Sequence, residues 1–454
     1  MGKTKIGFVV DNPERDLEGL VLASCELAKM GFEVILIPMY KQRFVVRSQK
    51  IDIVVMNYLR TNNLETFLYY KRAGVKVAIL ETEGDAGAGP QRYSDFFFKT
   101  GITNLIDLCM FWGREQMNSV ITEENLRPKM NVVTGCPRYD FCAELWAGSL
   151  VGESQRSDYI LVNTNFPMVN PKFSSSSSEE FTVMKKVGFS GDFISDLIDQ
   201  NVIAFAGMKG LLETLSKTMP EQHFIIRPHP FENINGYADL AKSSNVEVIQ
   251  EGSANFWIYR CRCMIQLNCT TAIEAALMKK PIISPEWLNG SAIFRSLPQS
   301  LSQLFNSVEE MEAVLKDDHL LNSYLASDSF DETKKIIEDG YHYIDGKANK
   351  RVALAISSLV SRPDSTGYEG KSSCKRLMKQ LALDIFEKPI LWNLRERIQK
   401  MNKEKYFTSS DVAVIMERLQ RVKPEYRTLA SSNLTRLKNS KGIFSDVTAV
   451  IIHD

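Results

Sequence analysis

The stretch Arg227-Pro228-His229-Pro230 sets an imidazole between two prolines, directly after the apolar run His223–Ile226. Proline fixes φ and stiffens the backbone. His229 is therefore expected to be held at a strand end, where it can donate a hydrogen bond or a proton to a phosphate oxygen. Arg227 brings a guanidinium suited to phosphate. His223, at the opposite end of the run, fits a structural role. A second stretch, Gln266-Leu267-Asn268-Cys269-Thr270-Thr271-Ala272-Ile273-Glu274-Ala275, ends another apolar run and opens a predicted helix. Exposed N–H groups at a helix start bind anions. The hydroxyls of Thr270 and Thr271 and the amide of Asn268 add donors, and one threonine can also serve as an N-cap. Glu274 lies in the first turn, as a dipole partner or as an acceptor for a sugar hydroxyl. A third stretch, Leu80-Glu81-Thr82-Glu83-Gly84-Asp85, puts three carboxylates after the run VKVAIL. Glu81, Glu83 or Asp85 could take a proton from an attacking hydroxyl, its pKa raised by its neighbours and by partial burial. Weaker candidates follow two more short runs: Thr134-Gly135-Cys136-Pro137-Arg138-Tyr139-Asp140 and Asn163-Thr164-Asn165-Phe166.

These stretches need elements to position them. Strands are predicted over 5–10, 32–37, 51–56, 75–80, 105–111 and 130–133, with helices over 16–30 and 64–72 between them. A second series places strands at 159–162, 223–226, 246–249, 263–267 and 281–284, with helices at 202–218 and 270–278. Continuous apolar strands alternating with helices imply parallel sheets covered on both faces. In such sheets ligands bind beyond the carboxyl ends of the strands, where every candidate above falls. The fold class is α/β, with two Rossmann-like domains facing across a cleft and a mostly helical C-terminal extension. The boundaries fall at 1–150, an acceptor-side domain; 151–330, a donor-binding domain; and 331–454, a helical, basic region. Residues 171–180, PKFSSSSSEE, form a polar loop.

The chain has 454 residues and a formal net charge of zero, so bulk charge predicts no nucleic-acid partner. Residues 371–440 hold 16 Lys+Arg against 7 Asp+Glu, a basic segment that could approach the anionic inner face of a membrane. The eight cysteines include no CxxC pair, and no metal site is predicted. There is no secretion signal and no apolar run long enough to span a bilayer, so a cytoplasmic place, peripheral to the membrane at most, is expected. No GxGxxG, Walker loop, HExxH or GxSxG occurs, which removes the usual support for dehydrogenase, ATPase, zinc-protease and serine-hydrolase chemistry.

Taken in order, these motifs resemble those of the bacterial surface-carbohydrate biosynthesis proteins, glycosyltransferases of the two-domain GT-B fold. Among these the chain looks like the CMP-dependent sialyltransferases and Kdo transferases, whose marks are an acidic-Gly motif, a His-Pro motif and a Ser/Thr pair. The resemblance puts the His-Pro motif on His229-Pro230, the pair on Thr270-Thr271 and the acidic motif on Glu83-Gly84, with Thr82 in the place of the first acid. It implies His229, Thr270 and Thr271 on the CMP phosphate, and Glu83 as base, with Glu81 beside it. RPHPFEN followed by NCTTAIEAALMKKPIIS is also similar to the CDP-glycerol polyol-phosphate transferases. Asp345-Gly346-Lys347 is a further mark of the group and would bring Lys347 and Arg351 toward the cleft. The implied function is transfer of an acidic sugar, Kdo or sialic-acid-like, from a CMP-activated co-substrate to an oligosaccharide or lipid-linked glycan, with no other cofactor. Alternatives are polyol-phosphate transfer, UDP-sugar 2-epimerisation and a non-catalytic scaffold in polysaccharide assembly.

Overall fold

The structure is a computed structural model. It describes residues 3–82, 90–151, 157–172, 181–182, 184–185, 190–293, 296–341, 344–362, 406–433 and 449–453. The chain divides into two compact units. Unit 1 comprises Met1–Ser149 and Glu338–Asp454, and unit 2 comprises Leu150–Ile337.

Unit 1 is built on strands β1 (Lys5–Val10), β2 (Glu33–Pro38), β3 (Ile53–Met56), β4 (Lys76–Leu80), β5 (Leu108–Phe111) and β6 (Asn131–Val133). The predicted apolar runs form these strands: 5–10 is unchanged, 32–37 shifts by one residue, and the other four lose one to three residues at their start. All pair in parallel, in the order β2-β1-β3-β4-β5-β6. Side chains of β1 to β5 are buried on both faces in a core that includes Ile35, Val54, Val77 and Phe111, as continuous apolar strands require, while the edge strand β6 is half-buried. Gly7 lies where β1 meets its neighbours most closely. A Cβ there would come within 2.7 Å of Ile37 Cδ1. Helix α1 (Pro13–Lys29) follows β1, with Asn12 as N-cap and proline in its first turn.

The last segment departs from the sequence expectation. Residues after Glu338 return to unit 1, and they include two strands that were not anticipated. These are β13 (Ala430–Asn433) and β14 (Val450–His453). Strand β14 pairs antiparallel with β2 and buries Val450 and Ile452, and β13 pairs with β14 as the edge. The helix Ser409–Val422 carries part of the basic segment, and its charges are partly neutralised. Arg418 pairs with Glu18 at 2.7 Å, and Lys423, just after the helix, with Glu26 at 3.0 Å. Residues 371–405 and 434–440 lie outside the described residues.

Unit 2 contains β7 (Ile160–Asn163), β8 (Phe224–Arg227), β9 (Val246–Val248), β10 (Cys263–Gln266), β11 (Ile282–Pro285) and β12 (Gln303–Phe305). All are parallel, in the order β12-β11-β10-β7-β8-β9. The sequence pass missed β12 because its three residues are half-polar and only one is buried. The helix predicted over 202–218 extends to Gly191–Thr218, with Ser190 accepting from Phe193 N as its N-cap. The strand order reverses between β7 and β10. Among the described residues no helix is long and apolar enough to cross a membrane.

Candidate functional site

The reversal falls between the carboxyl ends of β7 and β10, the place where open α/β sheets bind ligands. Sheet register puts Gln266 of β10, Asn163 of β7 and Arg227 of β8 in one row at that edge. Asn163 is 3% exposed. Its Nδ2 donates to Thr271 Oγ1 at 2.8 Å, tying the two strand ends together, while its Oδ1 is buried with no hydrogen-bond partner. Asn165 Nδ2 donates to the Asn268 carbonyl at 3.3 Å.

The loop after β10 is held from beneath. Gln266 Oε1 accepts from Cys269 N at 2.7 Å, and its Nε2 donates to Ser302 Oγ at 2.9 Å. Asn268 adopts φ 56°, a left-handed conformation that asparagine tolerates better than most residues. Its Nδ2 donates to Asn289 Oδ1 at 2.8 Å and its Oδ1 accepts from Gln299 Nε2 at 3.0 Å. These side-chain contacts hold the loop. The helix predicted from Thr270 begins at Ala272 and runs only to Leu277, with Thr271 at its N-cap but no side-chain cap bond. The Thr271 hydroxyl is turned instead to Asn163 and to Cys269 Sγ, 3.1 Å away. Thr270 is half-buried and Glu274 is buried.

The loop after β8 carries His229 and Pro230, both half-buried. The Phe231 backbone N–H donates to His229 Nδ1 at 3.2 Å. A ring nitrogen that accepts is unprotonated, so the neutral imidazole carries its proton on Nε2, as a donor. Arg227 is buried and its Nη2 donates to the Gly252 carbonyl. The guanidinium thereby braces the loop after β9 as well as adding positive charge at the edge. Sequence reasoning missed the centre of this arrangement. Glu232 is completely buried and accepts from Thr164, Phe166, His229 and Tyr237. Burial pushes its carboxyl upward, against those four hydrogen bonds. The signal was a lone carboxylate three residues beyond the histidine.

Unit 1 has its own carboxyl edge. Glu81 is 4% exposed. Its Oε1 accepts from Thr82 N at 3.2 Å and lies 3.8 Å from Arg60 Nη2, and its carbonyl accepts from Trp112 Nε1 at 2.6 Å. Arg15 Nη2 donates to Thr82 Oγ1 at 3.3 Å and lies 3.5 Å from Asp11, and its Nε pairs with Asp16 at 2.7 Å. Asp11, Arg15 and Asp16 carried no weight in the sequence. They come to Thr82 because β1 and β4 end at the same edge. Glu83 and Asp85 lie outside the described residues.

The two motifs 135–140 and 345–347 meet each other in unit 1. Asp140 accepts from Ala348 N at 2.9 Å and Asn349 N at 2.7 Å, capping the helix Ala348–Val360. Arg351 Nε donates to the Thr134 carbonyl at 2.7 Å, and its Nη1 sits 3.0 Å from both Asp345 oxygens. Lys347 is exposed, with its backbone N–H on Asp345. In this structure Arg351 is part of an internal lock. The seven described cysteines are free and buried, and burial pushes Cys25 and Cys261 up to about 12 and Cys136 up to about 11. None of these three has the lowered pKa of a thiolate nucleophile.

No family and no curated protein matches the chain. Solved structures do. A putative UDP-N-acetylglucosamine 2-epimerase from Listeria monocytogenes is similar with a TM-score of 0.50 at 12% identity, over 81% of this chain and 100% of that one. A UDP-GlcNAc 2-epimerase from Methanocaldococcus jannaschii, in complex with UDP-GlcNAc and UDP, gives 0.45 at 12% identity, over 78% and 100%. The wall teichoic acid polymerase TagF gives 0.49 at 11% identity, over 79% and 89%. At such identities the likeness to the Listeria protein concerns architecture. Together with the two sheets it shows the fold to be α/β, with two Rossmann-like domains of the GT-B type.

Proposed function

We propose that the chain is an enzyme of nucleotide-activated sugar or polyol chemistry, with the donor's phosphate held on unit 2 beyond β7, β8 and β10. The observation that carries this is the row Gln266–Asn163–Arg227 at the point of strand reversal, with the His229 loop on one side and Thr270-Thr271 on the other. A phosphate there meets the Thr270 and Thr271 hydroxyls, the field of Arg227 and the Nε2 proton of His229. A neutral ring carries that proton on Nε2, because Nδ1 accepts from Phe231 N–H. Hydrogen bonds to an oxygen on which negative charge develops favour the transition state over the ground state.

For the donor, the RPHPFEN and NCTTAIEAAL motifs support a CDP-linked polyol. An acceptor hydroxyl attacks the distal phosphorus, and its proton passes to a general base. The bond to CMP breaks with its electron pair left on CMP, where His229 stabilises the charge. Glu81 serves in our reading to hold the strand end after β4 through Arg60 and Trp112, and Glu83 stays a candidate base by resemblance alone. Asn268 holds the threonine loop, and Lys347 lies on unit 1. A CMP-linked acidic sugar has only the motif resemblance behind it and is not the leading reading. Fold likeness to the putative 2-epimerase supports a second one: interconversion of a UDP-sugar at C2 without an acceptor.

Calorimetric titration with CMP, CDP, UMP, UDP and GDP tests all of these. Preference for CDP supports polyol-phosphate transfer, and preference for UDP supports the epimerase reading, to be checked by incubating UDP-GlcNAc alone and following its C2 configuration by NMR. Preference for CMP restores the acidic sugar. Absence of binding to every nucleotide removes the proposal.

A further inference from the structure

We infer that Glu232 is a positioning residue for His229, acting through the hydrogen bonds it makes to both ends of that residue's backbone. The inference rests on the phosphate-site reading of unit 2. Glu232 Oε1 accepts from His229 N at 3.1 Å, and the Glu232 backbone N–H donates to the His229 carbonyl at 2.8 Å. One residue thus clamps the two peptide groups between which the imidazole is carried. Pro228 and Pro230 already fix φ on either side, so these peptide groups hold most of the remaining freedom. The same oxygen accepts from Thr164 Oγ1 at 2.8 Å and Phe166 N at 3.0 Å, on the loop after β7. The other accepts from the Tyr237 hydroxyl at 2.6 Å, whose oxygen lies 2.9 Å from Thr164 Oγ1.

The carboxylate therefore joins the loops after β7 and β8, the two strands that supply Asn163 and Arg227 to the edge row. Gln250 Nε2 supports the clamp from β9's side, donating to the carbonyls of His229 at 2.8 Å and Glu232 at 3.0 Å. A wholly buried carboxylate is an expensive way to fill space. An apolar side chain of that size would fill the space but would leave the buried N–H groups of Phe166 and His229 without this acceptor. What Glu232 adds is a fixed place for the imidazole relative to the phosphate row.

The test uses the full chain as wild type and as H229A, E232A, H229A/E232A, E232Q, Y237F and L212A. Leu212 is a buried core residue on the helix Gly191–Thr218 and carries no polar group, and L212A controls for lost stability. Each is titrated with CDP and UDP, and the His229 ring signal is followed by NMR, assigned by its absence from H229A. E232A is expected to lose about tenfold in affinity. The double variant should lose no more than H229A alone, because coupled residues are non-additive. E232Q keeps an acceptor oxygen toward His229 and should leave the ring signal in place, and L212A should keep wild-type affinity. Additive losses in the double variant, or an equal loss in L212A, overturn the inference. If E232A does not fold, Y237F replaces it, and an unmoved His229 signal there overturns the inference too. If the wild type binds neither nucleotide, the phosphate-site reading fails. The role of Glu232 is then decided by the ring signal alone: moved in E232A or Y237F but not in L212A supports it, and unmoved overturns it.

Discussion

At the scale of single residues, two groups are held by contacts that fix their chemistry. The Phe231 N–H donates to His229 Nδ1, which places the proton of a neutral ring on Nε2. His229→Ala removes a donor and no core volume, so unit 2 should unfold within a few degrees of wild type while nucleotide affinity falls about tenfold or more. Normal affinity in H229A would exclude the histidine from the phosphate site. Asp140 is the second group. Burial raises its carboxyl to about 7, against the hydrogen bonds from Ala348 and Asn349. Its folded pKa exceeds its unfolded one, so the folded state binds the proton more tightly. That contribution is complete below the ordinary carboxylate range and is lost as pH rises through about 7. The urea midpoint of wild type, compared with Asp140→Asn, should therefore decline between pH 4 and 8. A difference that stays flat across this window would contradict the raised value.

At the scale of elements, close backbone approaches set which helices can pack. Gly19 of α1 lies against the turn Pro137–Cys142, and an added Cβ would stand 2.8 Å from Arg138 N and 3.0 Å from the Pro137 carbonyl carbon. Backbone cannot rotate out of the way as a side chain can. Gly19→Ala gains helix propensity but should still destabilise unit 1 by about 1–3 kcal/mol through overpacking. Thermal unfolding measures this, and a variant as stable as wild type would mean that α1 slides freely on the turn. The turn also carries Asp140, which caps the helix Ala348–Val360. Strain at Gly19 should therefore increase hydrogen exchange at the first amides of that helix.

At the scale of the whole molecule, unit 1 is assembled from both ends of the chain. Strand β14 covers the edge of β2 with Val450 and Ile452 fully buried. Burying two such side chains contributes roughly 3–6 kcal/mol. A chain ending at Thr448 should lose most of that from unit 1, with β2 left as an open edge prone to association. Limited proteolysis with mass mapping should find new cuts in unit 1 and none in unit 2. Equal sensitivity of both units would show that they unfold together.

The sequence by itself determined the parallel strands of both sheets, because strands buried on both faces are written as largely apolar runs, and eleven runs were legible to within a few residues. It also pointed to the strand ends, where His229, Arg227 and Thr271 fall. Strand order was not legible, since pairing depends on crossover connections and not on local pattern. Only the fold sets Asn163 beside Arg227 and Gln266. Glu232 could be quoted from RPHPFEN but not weighed, because its meaning lies in Thr164, Phe166 and Tyr237, which the chain brings to it from other elements. Strands β13 and β14 were hidden for a related reason: Ala430–Asn433 has almost no apolar signal, and a ladder between β14 and β2 spans nearly the whole chain. Local pattern specifies what a segment can bury. Tertiary structure decides which polar groups then share one edge, and that edge is where the chemistry must be.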